Sequence, residues 1–435
     1  MKEHKLFIKS ETLRKYGFSS IEIKETLLSL LTLNHLLSFY ESSTLDDLKI
    51  LLELDKQNNF FIGDRNAFEI KAFRTWKKNA SIISIYKQYN SEEYHEEVIE
   101  ILTELWEMFN TLENKEEYFR GILLFYSSYI ERNPSEHLLP EKVLVFIASI
   151  LELKSGETVY DPICGSGSLL VAASKPRKEK NSFLGNEVNS NTSKIAALYG
   201  LINSVENYSI ERRDFLSTSI DQKFDVILSN PPYSLKNWEN ETHYSRDIFK
   251  YGKPPVSNAD FVFLQKIIAC LKREGRAIII VPDGLLFRRG IEGNIRKNII
   301  LDSVIESIIK LPENIFTNTS VSVNILVINR SKNHESILFF DASRLTSTGE
   351  NENLNKLVET YLNKKEVPSI SRHVSLQEIK DQDFILLPNR YLSKIDSIKP
   401  DPIKLVELIK TQEQLEIQLT NLQNNNSHLL SQLKL

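Results

Sequence analysis

The hydrophobic pattern of the first 133 residues is that of amphipathic helices. In residues 21–40 (IEIKETLLSLLTLNHLLSFY) and 96–112 (EEVIEILTELWEMFNTL), apolar positions recur every three or four residues, which is the spacing of one helix face. Glycine-rich turns are lacking until Asn133-Pro134, a dipeptide that commonly separates elements. The pattern therefore predicts an N-terminal helical domain over residues 1–133.

The hydrophobic pattern changes at residue 134. From there to residue 345, short apolar runs alternate with helical segments. The runs are ETVYDP, SFLGNEV, FDVILSN, RAIIIVP, SVIESIIKLP and SVNILVINR. Alternation of this kind predicts an α/β domain built on a doubly wound, mostly parallel sheet. We therefore assign residues 134–345 to a single α/β domain.

The remaining chain is predicted to be a polar connecting region, 346–401, followed by one long helix, 402–435. The helix carries a heptad seam with Leu at each d position and with polar Gln412 and Asn426 at a positions. A seam of about four heptads favours packing against a helix of another protein, and a helix folded back on its own domain is the alternative. The seam consists of Leu405, Leu408, Gln412, Leu415, Leu419, Leu422, Asn426, Leu429 and Leu433.

Composition narrows the class of protein. The formal net charge of −4 requires any nucleic-acid binding to come from local basic patches or from a partner. No run of apolar residues is long enough for a transmembrane helix, and the first residues are too polar for a signal peptide. Cys164 and Cys270 form no CxxC pair, and the eight histidines are scattered, so we assign neither a disulfide nor a metal site and expect a cytoplasmic protein.

A glycine-containing turn between a predicted strand and a predicted helix is the first candidate site. In TVYDPICGSGSLLVAAS (158–174), Gly165 and Gly167 allow a tight turn and a close approach of the backbone to a ligand. About twenty residues later, the second strand ends in Glu187, where a carboxylate can bind the hydroxyls of a ribose. Together they indicate a cofactor that carries a nucleoside. A purely structural turn and a solvated loop acid are the alternatives.

The second candidate is the tip of the strand in FDVILSNPPYSLKNW (224–238). The side-chain oxygen of Asn230 and the carbonyl of Pro231 are two acceptors that rigid prolines can hold against the hydrogens of an exocyclic amine. Such a clamp takes the nitrogen lone pair out of conjugation and directs it at an electrophile. Tyr233 offers an aromatic face on which a base can stack. The alternative is a chance Asn-Pro-Pro turn.

Two further features have structural alternatives of their own. Cys164 lies within the glycine loop, but no histidine follows at a spacing typical of a catalytic partner. We therefore interpret Cys164 as a small packing residue and not as a nucleophile. The basic stretch LFRRGIEGNIRKN (286–298) could contact phosphates, and a solvated basic loop is equally consistent with it.

Taken together, these motifs resemble those of amino-methyltransferases that use S-adenosylmethionine. DPICGSG (161–167) followed by NPPY (230–233) resembles the cofactor loop and the catalytic motif, and Asn before Pro-Pro-Tyr is typical of adenine-N6 methylation. Over roughly residues 135–395 the chain is similar to the modification (M) subunits of type I restriction-modification systems. That similarity is carried by GNEVNSNTSKIAALYGLI, NADFVFLQKIIACLKREGRAIIIVPDGLLF, LPENIFTNTSVSVNILVINRSK, LFFDAS and LLPNRYL.

The resemblance implies the methyltransferase fold and assigns a role to each matching residue. The implied catalytic residues are Asn230, Pro231, Pro232 and Tyr233. Glu187 would bind the ribose and Asp214 would lie near the adenine of the cofactor. The family's opening Tyr-x-Thr-Pro-like element corresponds to EHLLPEK (136–142), where Leu139 replaces the threonine. The other implied cofactor residues are Pro140, Asp161, Gly165, Ser166, Gly167 and Ser168.

The function that the resemblance implies is methyl transfer from S-adenosylmethionine to an adenine that is flipped out of DNA. An RNA guanine-N2 or protein-glutamine methyltransferase, which uses a similar clamp, is an alternative, and so is a non-catalytic assembly subunit with the same fold. The implied partners are DNA, a separate specificity subunit docked through the C-terminal helix, a second M subunit and a restriction subunit. No membrane partner is expected.

Overall fold

The chain folds around one mixed sheet with helices on both faces and additional helices at the N-terminus. The computed structural model describes residues 2–38, 95–127, 138–176, 180–217, 219, 222–238, 248–316, 321–332, 334–345 and 351–392. The predicted coiled-coil helix, 402–435, lies outside the described residues. None of the described helices is both long and apolar enough to cross a membrane.

Helices form at the two segments whose apolar spacing predicted them: Ser20–Ser38 overlaps residues 21–40, and His95–Asn110 overlaps residues 96–112. The described part of residues 1–133 contains four helices, and Asn114 caps the fourth by accepting a hydrogen bond from the backbone N–H of Glu117 at 2.9 Å. The N-terminal helices are α1 (Lys2–Lys15), α2 (Ser20–Ser38), α3 (His95–Asn110) and α4 (Lys115–Phe125). The later helices are α5 (Glu141–Ile150), α6 (Ser168–Ser174), α7 (Ser190–Ile202), α8 (Asp260–Cys270), α9 (Asp283–Phe287), α10 (Ile291–Leu301), α11 (Asn351–Leu362), α12 (Leu376–Asp381) and α13 (Asn389–Leu392).

Within the residues that the structure describes, nine strands form a single sheet in the order β3-β2-β1-β4-β5-β7-β6-β8-β9. Strands β1 to β5 pair in parallel, β7 inserts antiparallel between β5 and β6, β8 is parallel to β6, and β9 is antiparallel at the edge. The doubly wound, mostly parallel sheet predicted from the sequence is confirmed. The strands are β1 (Thr158–Asp161), β2 (Ser182–Glu187), β3 (Tyr208–Arg212), β4 (Phe224–Ser229), β5 (Leu271–Pro282), β6 (Ile305–Lys310), β7 (Val323–Asn329), β8 (Ile337–Asp341) and β9 (Ser371–Val374).

The central strands are apolar on both faces because helices cover both faces. Successive residues of β4 show this directly: Ile227 packs in the core that contains α8 and α10, whereas Leu228 packs in the core that contains α5 and α6. The order of the chain reverses between β1 and β4, so the carboxyl ends of these two strands flank a topological switch point. Ligands of open α/β sheets bind at such a point.

The N-terminal helices pack directly on the sheet domain. Their core continues into α7 through Ile195, Leu198 and Tyr199. The rings of Phe119 on α4 and Tyr199 on α7 are stacked, with centroids 5.2 Å apart and planes inclined by 8°. The two regions that the sequence separates at residue 133 therefore share one apolar core.

Residues 351–392, the described part of the region predicted as a polar connection, contribute elements to the sheet domain. Of these, Ser371–Val374 form β9, which pairs with β8 and adds the last strand to the sheet. Tyr361 of α11 is buried against the sheet, and its hydroxyl forms a hydrogen bond with Ser307 at 2.7 Å. The sequence pattern is misleading here because an edge strand and an amphipathic helix each bury only one side.

The shared core predicts a measurable coupling. Phe119→Ala should lower the free energy of unfolding by about 3–5 kcal/mol, because it removes a fully buried ring and leaves a cavity beside Tyr199. Leu124→Ala on the same helix removes a side chain that is 37% exposed and should cost less than about 1 kcal/mol. Urea denaturation followed by circular dichroism measures both. Equal losses in the two variants would show that the α4–α7 contact does not stabilise the fold.

Candidate cofactor and catalytic site

The glycine turn forms the floor of a cavity at the carboxyl end of β1. Gly165 and Gly167 both have positive φ, +53° and +82°, and α6 begins directly afterwards at Ser168. A Cβ on Gly165 would meet nothing within 4 Å, whereas one on Gly167 would lie 2.4 Å from the hydroxyl oxygen of Tyr208. Gly165 therefore leaves space open to the cavity, and Gly167 permits close packing against β3.

Glu187 fixes this turn to the start of the next helix. Its Oε2 accepts a hydrogen bond from the backbone N–H of Gly165 at 3.1 Å, and its Oε1 accepts one from the N–H of Asn189 at 2.7 Å. Asn189 in turn caps α7. Burial raises the pKa of Glu187 and the backbone N–H groups oppose that shift. Because Glu187 is only 7% exposed, the interpretation as a solvated loop acid is wrong.

Asp161 is a second buried acid of the same cavity. Its side chain accepts a hydrogen bond from the backbone N–H of Ile163 at 3.1 Å. Burial, with a contribution from the negative charge of Glu187, raises the pKa of Asp161 to about 8, although the hydrogen bond from Ile163 acts in the opposite direction. Two acids that are costly to ionise when buried suit a ligand with positive charge.

The cavity has a volume of about 350 Å³ and brings together residues from both predicted motifs. Of the residues predicted from the sequence, those lining it are Leu139, Asp161, Gly165, Ser166, Ser168, Glu187, Asn230 and Pro232. The predicted residues that do not line it are Pro140, Gly167, Asp214, Pro231 and Tyr233. The glycine turn and the Asn-Pro-Pro tip thus line the same cavity, although Gly165 and Asn230 are 65 residues apart in the chain.

Pro140, Asp214 and Leu139 have evident local roles, and the first two lie outside the cavity lining. Pro140 is the N-cap residue of α5, where a missing N–H costs nothing. Asp214 follows β3 and accepts a hydrogen bond from the backbone N–H of Leu216 at 2.9 Å. Leu139, which does line the cavity, is held through its carbonyl by the guanidinium of Arg120 at 3.1 Å.

The strand tip at Asn230 is stiffened by its own tyrosine. The hydroxyl of Tyr233 donates a hydrogen bond to Asn230 Oδ1, with 2.5 Å between the oxygens. Burial, together with the negative charge of Asp260, raises the pKa of Tyr233, so the phenol keeps its proton. This contact fixes which way the amide faces, and a carboxamide oxygen can accept more than one hydrogen bond.

Asp260 and Arg288 hold the loop immediately after the tip. Asp260 accepts a hydrogen bond from the backbone N–H of Ser234 at 2.8 Å, and its other oxygen lies 2.9 Å from Arg288 Nη1. Ser234 has φ of +54°, a backbone conformation that needs outside support in a residue other than glycine. Asp260 belongs to the quoted NADF stretch, but nothing in the sequence indicated this contact.

The remaining sequence candidates have structural roles. Cys164 is buried, and burial raises the pKa of its thiol well above the ordinary value, which favours the packing interpretation. The basic stretch 286–298 is partly held inside the fold, although Arg289 and Lys297 are exposed. Arg288 pairs with Asp260 and Glu292, and buried Arg296 donates hydrogen bonds to backbone carbonyls that include that of Phe384 at 2.8 Å.

Two cavity residues come from the N-terminal helices, where sequence reasoning found no site. Lys24 of α2 and Leu123 of α4 both line the cavity. Lys24 precedes Gly165 by more than a hundred residues and Leu123 precedes it by about forty, and both belong to apolar helical segments. Only the packing of these helices on α7 reveals that they line the cavity.

Comparison with known proteins identifies the family and the fold of this chain. The profile of the family described as N-6 DNA Methylase matches residues 117–399. The chain is 27% identical over 314 residues to the type I restriction enzyme MpnII methylase subunit of Mycoplasma pneumoniae, covering 65% of this chain and 58% of that protein. It is 28% identical over 328 residues to the HindI methylase subunit of Haemophilus influenzae, covering 70% of this chain and 71% of that protein. The chain thus spans less than two thirds of the Mycoplasma relative.

The fold is similar to that of a solved type I restriction-modification system methyltransferase subunit from Streptococcus thermophilus. The TM-score is 0.67 at 20% sequence identity, and the match covers 90% of this chain and 99% of that one. At this identity the likeness concerns the fold, and it confirms the predicted methyltransferase fold class. The resemblance found in the motifs is likewise confirmed by the family match.

The buried acid predicts a pH-dependent stability. An acid whose pKa rises on folding, from 3.8 to about 8 for Asp161, stabilises the folded state at low pH, and that contribution is lost as the pH rises towards about 8. Asp161→Asn keeps the acceptor for Ile163 and removes the ionisation. The variant should therefore gain stability relative to wild type between about pH 5 and about pH 8.5, by more than about 1.4 kcal/mol, the equivalent of one pKa unit. Denaturation at both pH values measures this gain, and a pH-independent difference would contradict it.

Proposed function

Because the chain belongs to the N-6 DNA methylase family, we propose that it transfers a methyl group from S-adenosylmethionine to the N6 amine of adenine in DNA. The observation that carries this proposal is the shared cavity: the glycine turn, the acid at the end of β2 and the Asn230 amide all line one space. A cofactor that spans this space would end beside the amine clamp.

The residues present suit this cofactor. The volume of about 350 Å³ is in the range of small-molecule sites. Gly165 leaves open space where any other residue would place a Cβ. Asp161 is a buried acid that a cationic group of the ligand would help to ionise, and Glu187 lies where a ribose would be bound. When bound, S-adenosylmethionine supplies the electrophilic methyl group.

The chain itself supplies orientation. Asn230 Oδ1 and the Pro231 carbonyl accept the two hydrogens of the target amine, which takes its lone pair out of conjugation and points it into the cavity. The hydroxyl of Tyr233 holds the amide in the accepting orientation. The amine attacks before it loses its proton, so a strong base is not required.

The loop after the tip must not move during this step. Asp260 binds the backbone N–H of Ser234, and Arg288 bridges Asp260 to the Ser234 hydroxyl, at 2.9 and 3.3 Å. Asp260 has a side chain only 2% exposed, which makes the bond insensitive to solvent. We infer that this pair keeps Tyr233 in place as a surface for the flipped base.

Other substrates and a non-catalytic role fit less well. An RNA guanine or a protein glutamine could use the same clamp, but the family match and the curated relatives point to DNA. A non-catalytic assembly subunit would have no need for an Asn230 amide held by Tyr233 beside a ligand-sized cavity. Leu139, which replaces the family's threonine, lies in the cavity and removes one polar contact without closing it.

The partners follow from the proposed class of system. The MpnII and HindI relatives are named as methylase subunits of type I restriction enzymes, and we infer that this chain likewise acts as one of several subunits. We further propose that it acts on DNA in the cytoplasm. The heptad seam from Leu405 to Leu433 is the proposed dock for a specificity subunit. A net charge of −4 agrees with DNA selection by that subunit. A second M subunit and a restriction subunit complete the proposed set.

The clamp predicts a selective loss of activity. Asn230→Ala in the purified complex should lower the rate constant of methyl transfer by about 10²-fold or more, which is comparable to the loss of one oriented hydrogen-bonding group at a reacting centre. Cofactor affinity should change less than about threefold, because the amide acts on the target amine. Single-turnover transfer of labelled methyl and calorimetric cofactor binding measure the two quantities.

Asn203→Ala is the matched control, since Asn203 ends α7 away from the cavity and donates to the Tyr199 carbonyl at 2.9 Å. Its rate should equal that of wild type. A near-wild-type rate for Asn230→Ala would remove the clamp from the mechanism.

The heptad seam predicts a separable dock. A chain that ends at residue 401 should keep its cofactor affinity, because every residue lining the cavity precedes the cut. It should fail to co-purify with the specificity subunit and should lose site-specific methylation. Co-expression with a tagged specificity subunit measures the first effect. Wild-type recovery of the truncated chain would place the dock elsewhere.

A further inference from the structure

Arg120 joins the N-terminal helices to the entry of α5. It lies on α4, and its side chain is only 16% exposed. Its Nη2 donates a hydrogen bond to the backbone carbonyl of Leu139 at 3.1 Å, and its Nη1 lies 2.5 Å from Oε2 of Glu141. The planar guanidinium thus binds two points of the segment 138–141, which leads into α5.

The segment 138–141 lies where two apolar cores meet. Leu138 packs against the core of the N-terminal helices, whereas the next residue, Leu139, belongs to the core that contains α5 and α6. Both leucines also line the cavity that Gly165 and Asn230 share. A shift of this segment would therefore move one wall of the cavity.

Residues 139 and 140 offer no side-chain hydrogen bond to this entry. Pro140 is the N-cap residue of α5, and its side chain has no donor or acceptor. Leu139 occupies the position where the family resemblance implies a threonine, so a hydroxyl is missing there as well. Arg120 supplies polar contacts to the entry from α4 instead.

Arg120 is itself held in a well-packed part of α4. The preceding residue, Phe119, is fully buried, and its ring stacks on that of Tyr199 of α7. Burial raises the pKa of Tyr199, and the charge of the neighbouring Arg120 opposes that rise. Helices α4 and α7 and the entry of α5 therefore meet around one arginine.

An inference that rests on the proposed function follows: we propose that Arg120 is a positioning residue for cofactor binding. It does not line the cavity, so it acts through Leu138 and Leu139, whose segment it ties to α4. Packing of the N-terminal helices then raises cofactor affinity, and by linkage the bound cofactor stabilises that packing by the same factor. The N-terminal helices therefore complete the cofactor site as well as packing on the sheet domain.

The test measures S-adenosylmethionine affinity by calorimetry on the full-length chain. Arg120→Met keeps an unbranched side chain and removes every donor, and it should weaken binding by about fivefold or more, as expected when an oriented hydrogen bond is lost. Single-turnover methyl transfer in the purified complex, at saturating cofactor, should change less than about twofold, because the amine clamp is untouched. Arg120→Lys keeps the charge but loses the planar set of donors, so its affinity should lie between those of Arg120→Met and wild type.

Arg276→Met is the matched control, because Arg276 holds the other end of α5. Its side chain is 19% exposed, lies 2.7 Å from Glu157 and donates to the carbonyl of Leu151, the C-cap residue of α5, at 3.0 Å. It does not line the cavity. Both substitutions should lower the midpoint of thermal unfolding, but Arg276→Met should leave cofactor affinity within about twofold of wild type.

Equal weakening of cofactor binding in Arg120→Met and Arg276→Met would show a general effect of destabilisation and would overturn the proposal. Wild-type affinity in a folded Arg120 variant would overturn it as well, and Arg120→Lys provides that comparison if Arg120→Met does not fold. Absence of S-adenosylmethionine binding by the wild-type chain would instead contradict the proposed function itself.

Amide hydrogen exchange in α4 gives a second readout of the coupling. S-adenosylmethionine should slow exchange in Lys115–Phe125 of the wild-type chain, and it should slow it less in Arg120→Met. The Arg276→Met chain should behave as wild type does. Equal slowing in all three chains would show that Arg120 does not couple α4 to the cofactor site.

Discussion

The site depends on the two hydrogen bonds that one carboxylate, Glu187, accepts from backbone N–H groups. One comes from Gly165 in the turn after β1 and the other from Asn189 at the start of α7. Parallel pairing of β1 and β2 brings the two strand ends side by side, and the carboxylate then joins the segments that follow them. That bridge ties the glycine turn to the start of α7. The strand ends at the carboxyl edge of the sheet thus form the floor of the cavity, and residues from other elements form its walls.

The walls come from distant parts of the chain, and this limits what the sequence could predict. The glycine turn, Glu187 and the Asn-Pro-Pro-Tyr tip were found because each follows a recognisable strand, and the parallel sheet must place strand ends along one edge. Lys24 and Leu123 were not found, because an apolar helix pattern does not say which helix face meets which strand end. Asp260 belongs to a quoted motif, yet its contact with Ser234 depends on a tertiary approach.

In the fold, too, some elements could be predicted from the sequence and others could not. The parallel core of the sheet was predicted because its strands are continuous apolar runs that need cover on both faces. Strand β9, Ser-Arg-His-Val, carries no such signal: only its first and last residues are buried, and it is an edge strand held by β8. Asp214 was placed near the cofactor by motif resemblance, but it does not line the cavity. Local pattern therefore identified elements and strand-end chemistry, whereas contacts between elements required the structure.

The central claim is that this chain places a methyl group on the N6 atom of adenine in DNA. The most direct measurement is single-molecule sequencing together with nucleoside mass spectrometry of DNA from host cells that carry either the wild-type gene or the Asn230→Ala allele. The account predicts N6-methyladenine at a recurring sequence in the wild type and unmodified adenine at that sequence with Asn230→Ala. An identical N6-methyladenine pattern in both strains, or the loss of a different modified nucleoside, would contradict it.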